Sequence, residues 1–593
     1  MDQAADHARA ALARGDLIAA YDLTVSAISD GDESMAVRHQ HVLALARMGD
    51  TDRAMERFEA YRLADSPQPH ERAVGARLLK DRALALPAGP SRQAALEAAH
   101  EAYLAVYRES GDAFPGINAA TLALLAGEEP CARALAAALL GDPAVAAAAD
   151  YYAAATRAEA LLVLRRPEEA LAVLELPAVR GWSDHGARCS TARQLAMIAR
   201  HIGLSDAERR CLLLPLAPPR VAHFCGHMFA ADAADEARLR DAIDAVLAQE
   251  AIGFAFGALA CGSDLVFAEA ALARGIELHA VLPFADEDFL AQSVRPGGEG
   301  WVERHRACRD RAASVTLATD TEFLGDDSQY SYASAMAMGL ARLRAEHLGG
   351  EAIQVAVWDG VPPAGPAGTG ADVAAWRAQG GRTVVVAPGL VDRDLVRPAA
   401  NVIGPFERTL AAILFTDFAG FSTLKETALP AFWGGVMRSV AEVLDRHGDA
   451  VDCRNSWGDA LYAVTGSAPE AADIALELQD ALAAFDYATL GLDGTGGMRI
   501  GAHYGPAYRT VDHITGRTTF YGTEVSKAAR IEPVTPPGAV FVTEPMAAVL
   551  ALESADRFDC RYVGRIALAK KYGEYPMYRL TRSPQDPPEP IRG

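Results

Sequence analysis

Leu410-Ala411-Ala412-Ile413-Leu414-Phe415-Thr416-Asp417-Phe418-Ala419-Gly420-Phe421-Ser422 is an apolar run that ends on an acid and then a glycine. It reads as a buried strand, a tight turn after Asp417, and the start of a helix. A second acid stands in Asn455-Ser456-Trp457-Gly458-Asp459-Ala460-Leu461-Tyr462, which reads as a hairpin. A lone Asp behind an apolar strand is most simply a cap or turn residue. Two that converge from strand edges suit a pair of hard, oxygen-loving ions, Mg²⁺ or Mn²⁺.

Working outward, the chain has 593 residues, too many for one ordinary domain, and 51% of them are apolar, enough for several cores. Its formal net charge of -22 disfavours nucleic acid or an anionic membrane as a main partner. The opening Met1-Asp2-Gln3-Ala4-Ala5-Asp6 lacks the basic flank and apolar core of a signal peptide, and no run is long enough to span a membrane. The eight cysteines lie far apart with no C-x-x-C pair, which fits reduced, mostly buried thiols in the cytoplasm.

Residues 1–214 are rich in Ala, Leu, Arg and Glu at helical spacing. Arg14-Gly15-Asp16 returns as Met48-Gly49-Asp50, 34 residues later, which is the length of a tetratricopeptide helix pair. Arg165-Arg166-Pro167 is a further likeness, whereas Gly111-Asp112-Ala113-Phe114-Pro115 breaks the period. A solenoid that binds a protein partner and a plain helical scaffold both fit. After prolines between Pro215 and Pro219, residues 220–398 alternate strands with helices, as a doubly wound parallel sheet does. Strands are expected at Arg220–His227, Ile252–Gly257, Glu277–Phe284 and Ile353–Gly360. Glycine-rich loops at 257–263 and 365–370 lie where such sheets bind ligands. This region resembles the Rossmann-like nucleotide-sensing domains of the SLOG superfamily, and the resemblance implies a nucleotide ligand. Asp264 and Asp372 read as helix caps, Glu269 as a polar contact or a cap, and no catalytic set is visible there. The second linker falls near Pro398 to Pro405, and the proline-rich tail 583–593 reads as disordered.

Residues 407–582 resemble the catalytic domain of class III adenylate/guanylate cyclases. Three stretches carry the likeness: the two around Asp417 and Asp459, and Phe520-Tyr521-Gly522-Thr523-Glu524-Val525-Ser526-Lys527-Ala528-Ala529-Arg530, where the arginine stands on an apparent helix. The resemblance makes Asp417 and Asp459 the ligands of two Mg²⁺ or Mn²⁺ ions per site, with the Phe418 carbonyl as a further ligand. It gives the amides of Phe418 to Ser422, Gly420 and Phe421 among them, to the phosphates. Arg530 becomes the group that stabilises charge on the α-phosphate, and Lys570 or Lys571 the triphosphate lysine. The residues that read the base fall at Asn455 and Thr519, neither of them a usual choice for adenine or guanine. Ser526 replaces the asparagine that contacts ribose. Phe418, Phe421 and Trp433 read as core. The implied active form is a homodimer joined through the cyclase domain, with metal carboxylates and arginine from opposite chains.

The fold class expected is therefore multidomain: all-α helical repeats, an α/β Rossmann-like middle domain, and an α+β, ferredoxin-like cyclase domain. The expected function is conversion of ATP to cAMP and pyrophosphate in cytoplasmic signalling. The alternatives are a guanylate or pyrimidine nucleotide cyclase, and a nucleotide-binding scaffold of weak activity.

Overall fold

The computed structural model describes residues 2–229, 233–363, 365–387, 407–490 and 497–583. The second linker and all but the first residue of the tail lie outside these. The described chain divides into two compact units, the first built on Met1–Pro218 and the second on Pro219–Ala345 with the sequence from Ala352 onward.

The first unit is all helix. Gly15 and Gly49 both take a left-handed backbone (φ 73° and 81°), a conformation that suits a residue without a Cβ. In each case the next residue caps the following helix, Asp16 for Leu17–Ser29 and Asp50 for Thr51–Ala60. Gly111 (φ 68°) and Asp112 repeat the device ahead of Ala113–Leu125, so the stretch that breaks the 34-residue spacing still performs the same turn. At the third likeness Arg165 (φ 61°) occupies the left-handed position and Pro167 begins the helix. Consecutive helices pack against each other, as single amphipathic pairs must to bury their faces.

The second unit holds two sheets. The first contains β1 (Arg220–Gly226), β2 (Ile252–Gly257), β3 (Glu277–Leu282), β4 (Ser314–Leu317), β5 (Ala352–Val357) and β6 (Thr383–Val386). Its order is β4-β3-β2-β1-β5-β6, and every neighbouring pair is parallel. Strands β4 and β6 are additional to those expected. Both are four-residue edge strands, only partly buried, so neither shows a long apolar run. The chain reverses its direction of winding between β1 and β5, which opens a crevice at the carboxyl ends of these strands.

The second sheet comprises β7 (Glu407–Ala419), β8 (Val451–Trp457), β9 (Ala460–Thr465), β10 (Gly497–Val511), β11 (Thr518–Tyr521), β12 (Val540–Thr543), β13 (Phe558–Ala567) and β14 (Glu574–Arg582). Its order is β13-β14-β12-β10-β7-β9-β8, and β11 adds to β10. All pairs are antiparallel except β10 with β12. Ala411 to Leu414 are buried in succession because both faces of β7 are covered. Helices Ala468–Ala483 and Glu544–Glu553 lie against one face. Helix Thr523–Ala528 lies against the other, where Ala528 packs with Ala411 and Ile413.

Within this unit the helix Ser328–Leu348 joins the two sheets' layers. A Cβ on Gly339 would collide with the Ala548 carbonyl oxygen, so only glycine permits the two helix backbones to approach this closely. Arg408, at the start of β7, bonds Asp326 at 2.9 Å.

Candidate active site

The register of β7 with β10 sets one face of the cyclase-like sheet. Asp417 stands opposite Arg499, Phe415 opposite Gly501 and Ile413 opposite His503. Side chains two apart share a face, so Asp417, Arg499 and His503 point to the side covered by the Thr523–Ala528 helix. Phe418 points the other way. It is fully buried, with its ring against Phe432 and Tyr487.

Asp459 arrives from the β8–β9 hairpin, whose turn is Gly458 (φ 65°) and Asp459 between the paired Trp457 and Ala460. Its Oδ2 accepts the Phe418 amide at 3.3 Å, which locks it beside Asp417. Burial first, then the charge of Asp417, pushes the Asp459 carboxyl up to about 6. Arg499 faces Asp417 across the strands, its Nη1 lying 3.8 Å from Asp417 Oδ2. Glu532 is a third acid at the same place, pushed up to about 7 by burial and then by Asp417. Among the described residues no group of three or more His, Cys, Asp or Glu side chains is arranged to hold a metal ion. The Asp417–Asp459 pair is nonetheless an all-oxygen donor set whose mutual repulsion a hard divalent cation would relieve. That chemistry fits Mg²⁺ or Mn²⁺.

The loop after Asp417 differs from the expected helix start. Strand β7 runs on to Ala419, Gly420 turns left-handed (φ 92°), and a single 3₁₀ turn, Phe421–Thr423, follows. Leu424 is already extended, so no long helix aligns its dipole with this loop. The Phe418 amide is committed to Asp459, and the Thr423 amide to the Gly420 carbonyl.

Arg530 also differs from expectation. The helix ends at Ala528, and Arg530 lies in the turn that follows, before the 3₁₀ segment Glu532–Val534. Its carbonyl accepts the Ala569 amide at 3.4 Å, which brings the loop bearing Lys570 and Lys571 beside it. Both lysines are exposed and left-handed (φ 60° and 59°). Ser526 is exposed on the Thr523–Ala528 helix. Asn455 is exposed on β8, its Oδ1 accepting the Ser456 amide. Thr519 is half-buried on β11, bonded to Cys453, which shares a face of β8 with Asn455. The structure thus brings Asp417 to Asp459 and Arg530 to the lysine loop, and sets Asn455 and Thr519 on strands β8 and β11, which touch. Trp433, read as core, is 55% exposed.

Sequence reasoning missed a buried charged set under the Arg530 turn. His503 Nε2 lies 2.7 Å from Glu524 Oε2, and Lys527 Nζ donates to the same oxygen at 2.9 Å. Burial opposes the charge on Glu524, but its bonds to His503 and Lys527 hold the carboxyl down to about 2. Burial lowers the His503 pKa, so at neutral pH the cation facing Glu524 is Lys527. An acid and a base three apart on a helix whose other residues pack on β7 was the signal available. Glu532, two residues beyond Arg530, had none, because only the fold brings it to Asp417.

Comparison with known proteins adds to this geometry. Residues 407–582 match the adenylate and guanylate cyclase catalytic domain, and residues 4–123 match the tetratricopeptide repeats-sensor family. The C-terminal region is accordingly a class III cyclase catalytic domain, and the N-terminal region carries tetratricopeptide-type repeats. The α/β region between them lies outside both matches. Among solved structures, the chain is similar to the adenylyl cyclase CyaB from P. aeruginosa, at 18% identity over 30% of this chain and 98% of that one, TM-score 0.27. It is similar to the guanylate cyclase domain of RhGC from Catenaria anguillulae in complex with GTP, at 19% identity over 30% and 98%, TM-score 0.26. An adenylate cyclase structure from Trypanosoma brucei, in its monomeric state, matches at 22% identity over 29% and 87%, TM-score 0.27. Among curated proteins there is no match. No helix among the described residues is long and apolar enough to cross a membrane.

Proposed function

We propose that this chain is a cytoplasmic, homodimeric nucleotide cyclase that converts ATP to cAMP and pyrophosphate. In it residues 407–582 are catalytic and residues 1–214 and 220–398 regulatory. The observation that carries the proposal is the convergence of Asp417 and Asp459, fixed through the Phe418 amide, within a domain of the cyclase family.

In this reading the ribose 3′-oxygen attacks the α-phosphorus. The bond from that phosphorus to the oxygen bridging to the β-phosphate breaks, pyrophosphate leaves, and the hydroxyl proton passes to solvent. Two Mg²⁺ or Mn²⁺ ions held by Asp417, Asp459 and the Phe418 carbonyl would acidify the 3′-hydroxyl and neutralise the leaving phosphates. Arg530 stabilises the charge that builds on the α-phosphate, and Lys570 or Lys571 steadies the triphosphate. The amides of Gly420 and Phe421 add donors to the phosphates, and Ser526 reaches the ribose. The Asn455 amide presents a donor and an acceptor to the base, and the Thr519 hydroxyl turns either way. That pair matches the N6 donor and N1 acceptor of adenine and the same donor/acceptor order on cytosine, and a flipped amide would serve guanine or uracil. The second reading is therefore a cyclase for another base.

The homodimer draws support from apolar side chains left in solvent on this domain: Trp457 is 61% exposed and Ile514 95%, alongside Trp433. A protein partner for the helical repeats and a nucleotide-type ligand for the α/β domain complete the proposal as its inputs. The test is incubation of the purified chain with each of the four nucleoside triphosphates and Mn²⁺, followed by product identification. Cyclic AMP supports the proposal, another cyclic nucleotide moves it to the second reading, and no cyclic product from any substrate refutes it.

A further inference from the structure

A cavity of about 270 Å³ opens at the carboxyl ends of β1, β2, β3 and β5, where the winding of the parallel sheet reverses. Its wall contains two acids, Asp264 and Asp372, 7% and 8% exposed. Neither caps its helix. Gly262 precedes Ser263–Ala273 and Gly368 precedes Thr369–Ala378, which leaves both carboxylates inside the first turns and facing inward. The amides of Ala260 and Gly226 lie beside the Asp264 carboxylate, yet its Oδ1 has no hydrogen-bond partner among the described residues. Asp372 has the Ser334 hydroxyl.

An orphaned buried acceptor is costly, a penalty that a ligand donor would remove. Among the described residues no lysine or arginine lines the cavity, and its His227 is paired with Asp359, so a phosphate would meet two acids without a lysine or arginine to offset them. Its volume sits near the lower limit, about 300 Å³, of small-molecule sites. That suits one ring system rather than a whole dinucleotide.

The helix Ser328–Leu348 gives this cavity an outlet. Tyr330, Ala333, Ser334 and Ala337 line it from one side of the helix. From another side, Tyr332 sits 6.3 Å from the Tyr504 ring of β10, and Gly339 lies against the Ala548 backbone. We infer that this cavity binds a nucleobase- or nucleoside-sized ligand base-first, with ring N–H and amino groups donating to Asp264 and Asp372, and that occupancy alters the cyclase domain through the helix Ser328–Leu348. Any phosphates on the ligand stay outside the cavity. The binding half stands on the cavity alone; the output half rests on the proposed cyclase activity.

The test is calorimetric titration of the full chain with adenosine, guanosine, cytidine and uridine, and with inorganic pyrophosphate. It is repeated with Asp264→Asn and with Ala333→Leu, which fills the wall without touching a charge. At least one nucleoside binds once per chain, and each substitution weakens it about tenfold or more, Asp264→Asn by altering the acceptor and Ala333→Leu by filling the space. No nucleoside binding, or binding that both variants leave intact, overturns the inference. Pyrophosphate binding that both variants abolish overturns it too, since the cavity would then be a phosphate site. For the output half, the nucleoside that binds changes the cyclase rate of the wild type and leaves that of Ala333→Leu unmoved; equal response in both overturns it. Failure of every triphosphate to cyclise would refute the proposed catalysis and leave the calorimetric result standing.

Discussion

Two pairs of aspartates follow apolar strands in this chain, and the fold treats them in opposite ways. Asp417 and Asp459 sit on the rim of an antiparallel sheet, side by side and half-exposed, with Arg499 at 3.8 Å as their nearest cation. Asp264 and Asp372 sit inside the parallel sheet's cavity, buried, with no lysine or arginine among the described residues of its lining. Burial drives the shift in both places, raising Asp459 to about 6 and Asp372 to about 7. What differs is access. A rim pair can be neutralised by hydrated ions arriving with a triphosphate, whereas an enclosed pair is answered only by donors on a ligand that displaces water. The same residue type thus meets two settings, an accessible rim and an enclosed wall, and the surroundings decide what can neutralise it.

The contrast can be attacked most strongly at the rim. Asp417→Ala should lower turnover by at least about 10³-fold, while circular dichroism and the melting curve stay those of the wild type. Normal product formation by that variant removes the metal assignment. Glu524 supplies the control, an acid as buried as the cavity pair but already matched by Lys527. Lys527→Met leaves that charge without its cation and should cost about 3–5 kcal/mol in denaturant unfolding. A loss under about 1 kcal/mol would show that His503 alone satisfies Glu524.

The smallest effect belongs to the cavity. Burial raises Asp372 from 3.8 to about 7, so between these values the folded chain binds more protons than the unfolded one and stability falls as pH rises. Asp372→Asn should abolish that slope over pH 4 to 7. It should also stabilise the ligand-free chain at pH 8 by roughly 1–2 kcal/mol, since Asp264, His223 and Cys225 around it carry no positive charge there. Melting temperature against pH, for wild type and variant, checks both; parallel curves would mean that Asp372 is solvated.

Much of this was legible before folding was considered. The run ending at Asp417 gave strand and acid, the Trp457–Ala460 hairpin placed Asp459, and Gly-Asp pairs marked helix turns in the first unit. Composition could not show that Asp264 and Asp372 turn inward instead of capping, because a cap and a cavity wall have the same local sequence. Nor could it show that Gly420 limits the loop after Asp417 to one 3₁₀ turn, or that Arg530 stands beyond its helix. Those outcomes depend on a left-handed glycine and on the Ala569 amide, neither local to the motif. The approach of Glu532 to Asp417, and of Glu524 to His503, arises from packing between segments far apart in sequence, a long-range property.

The claim on which the account turns is that one chain supplies Asp417 and Asp459 while a second supplies Arg530. Mixing purified Asp417→Ala and Arg530→Ala, each inactive alone, under conditions of subunit exchange tests it directly. Recovery of about a quarter of wild-type turnover, the share expected for one intact site of two in half the dimers, is the predicted result. No recovery, with heterodimers demonstrated in the same tube, would contradict it.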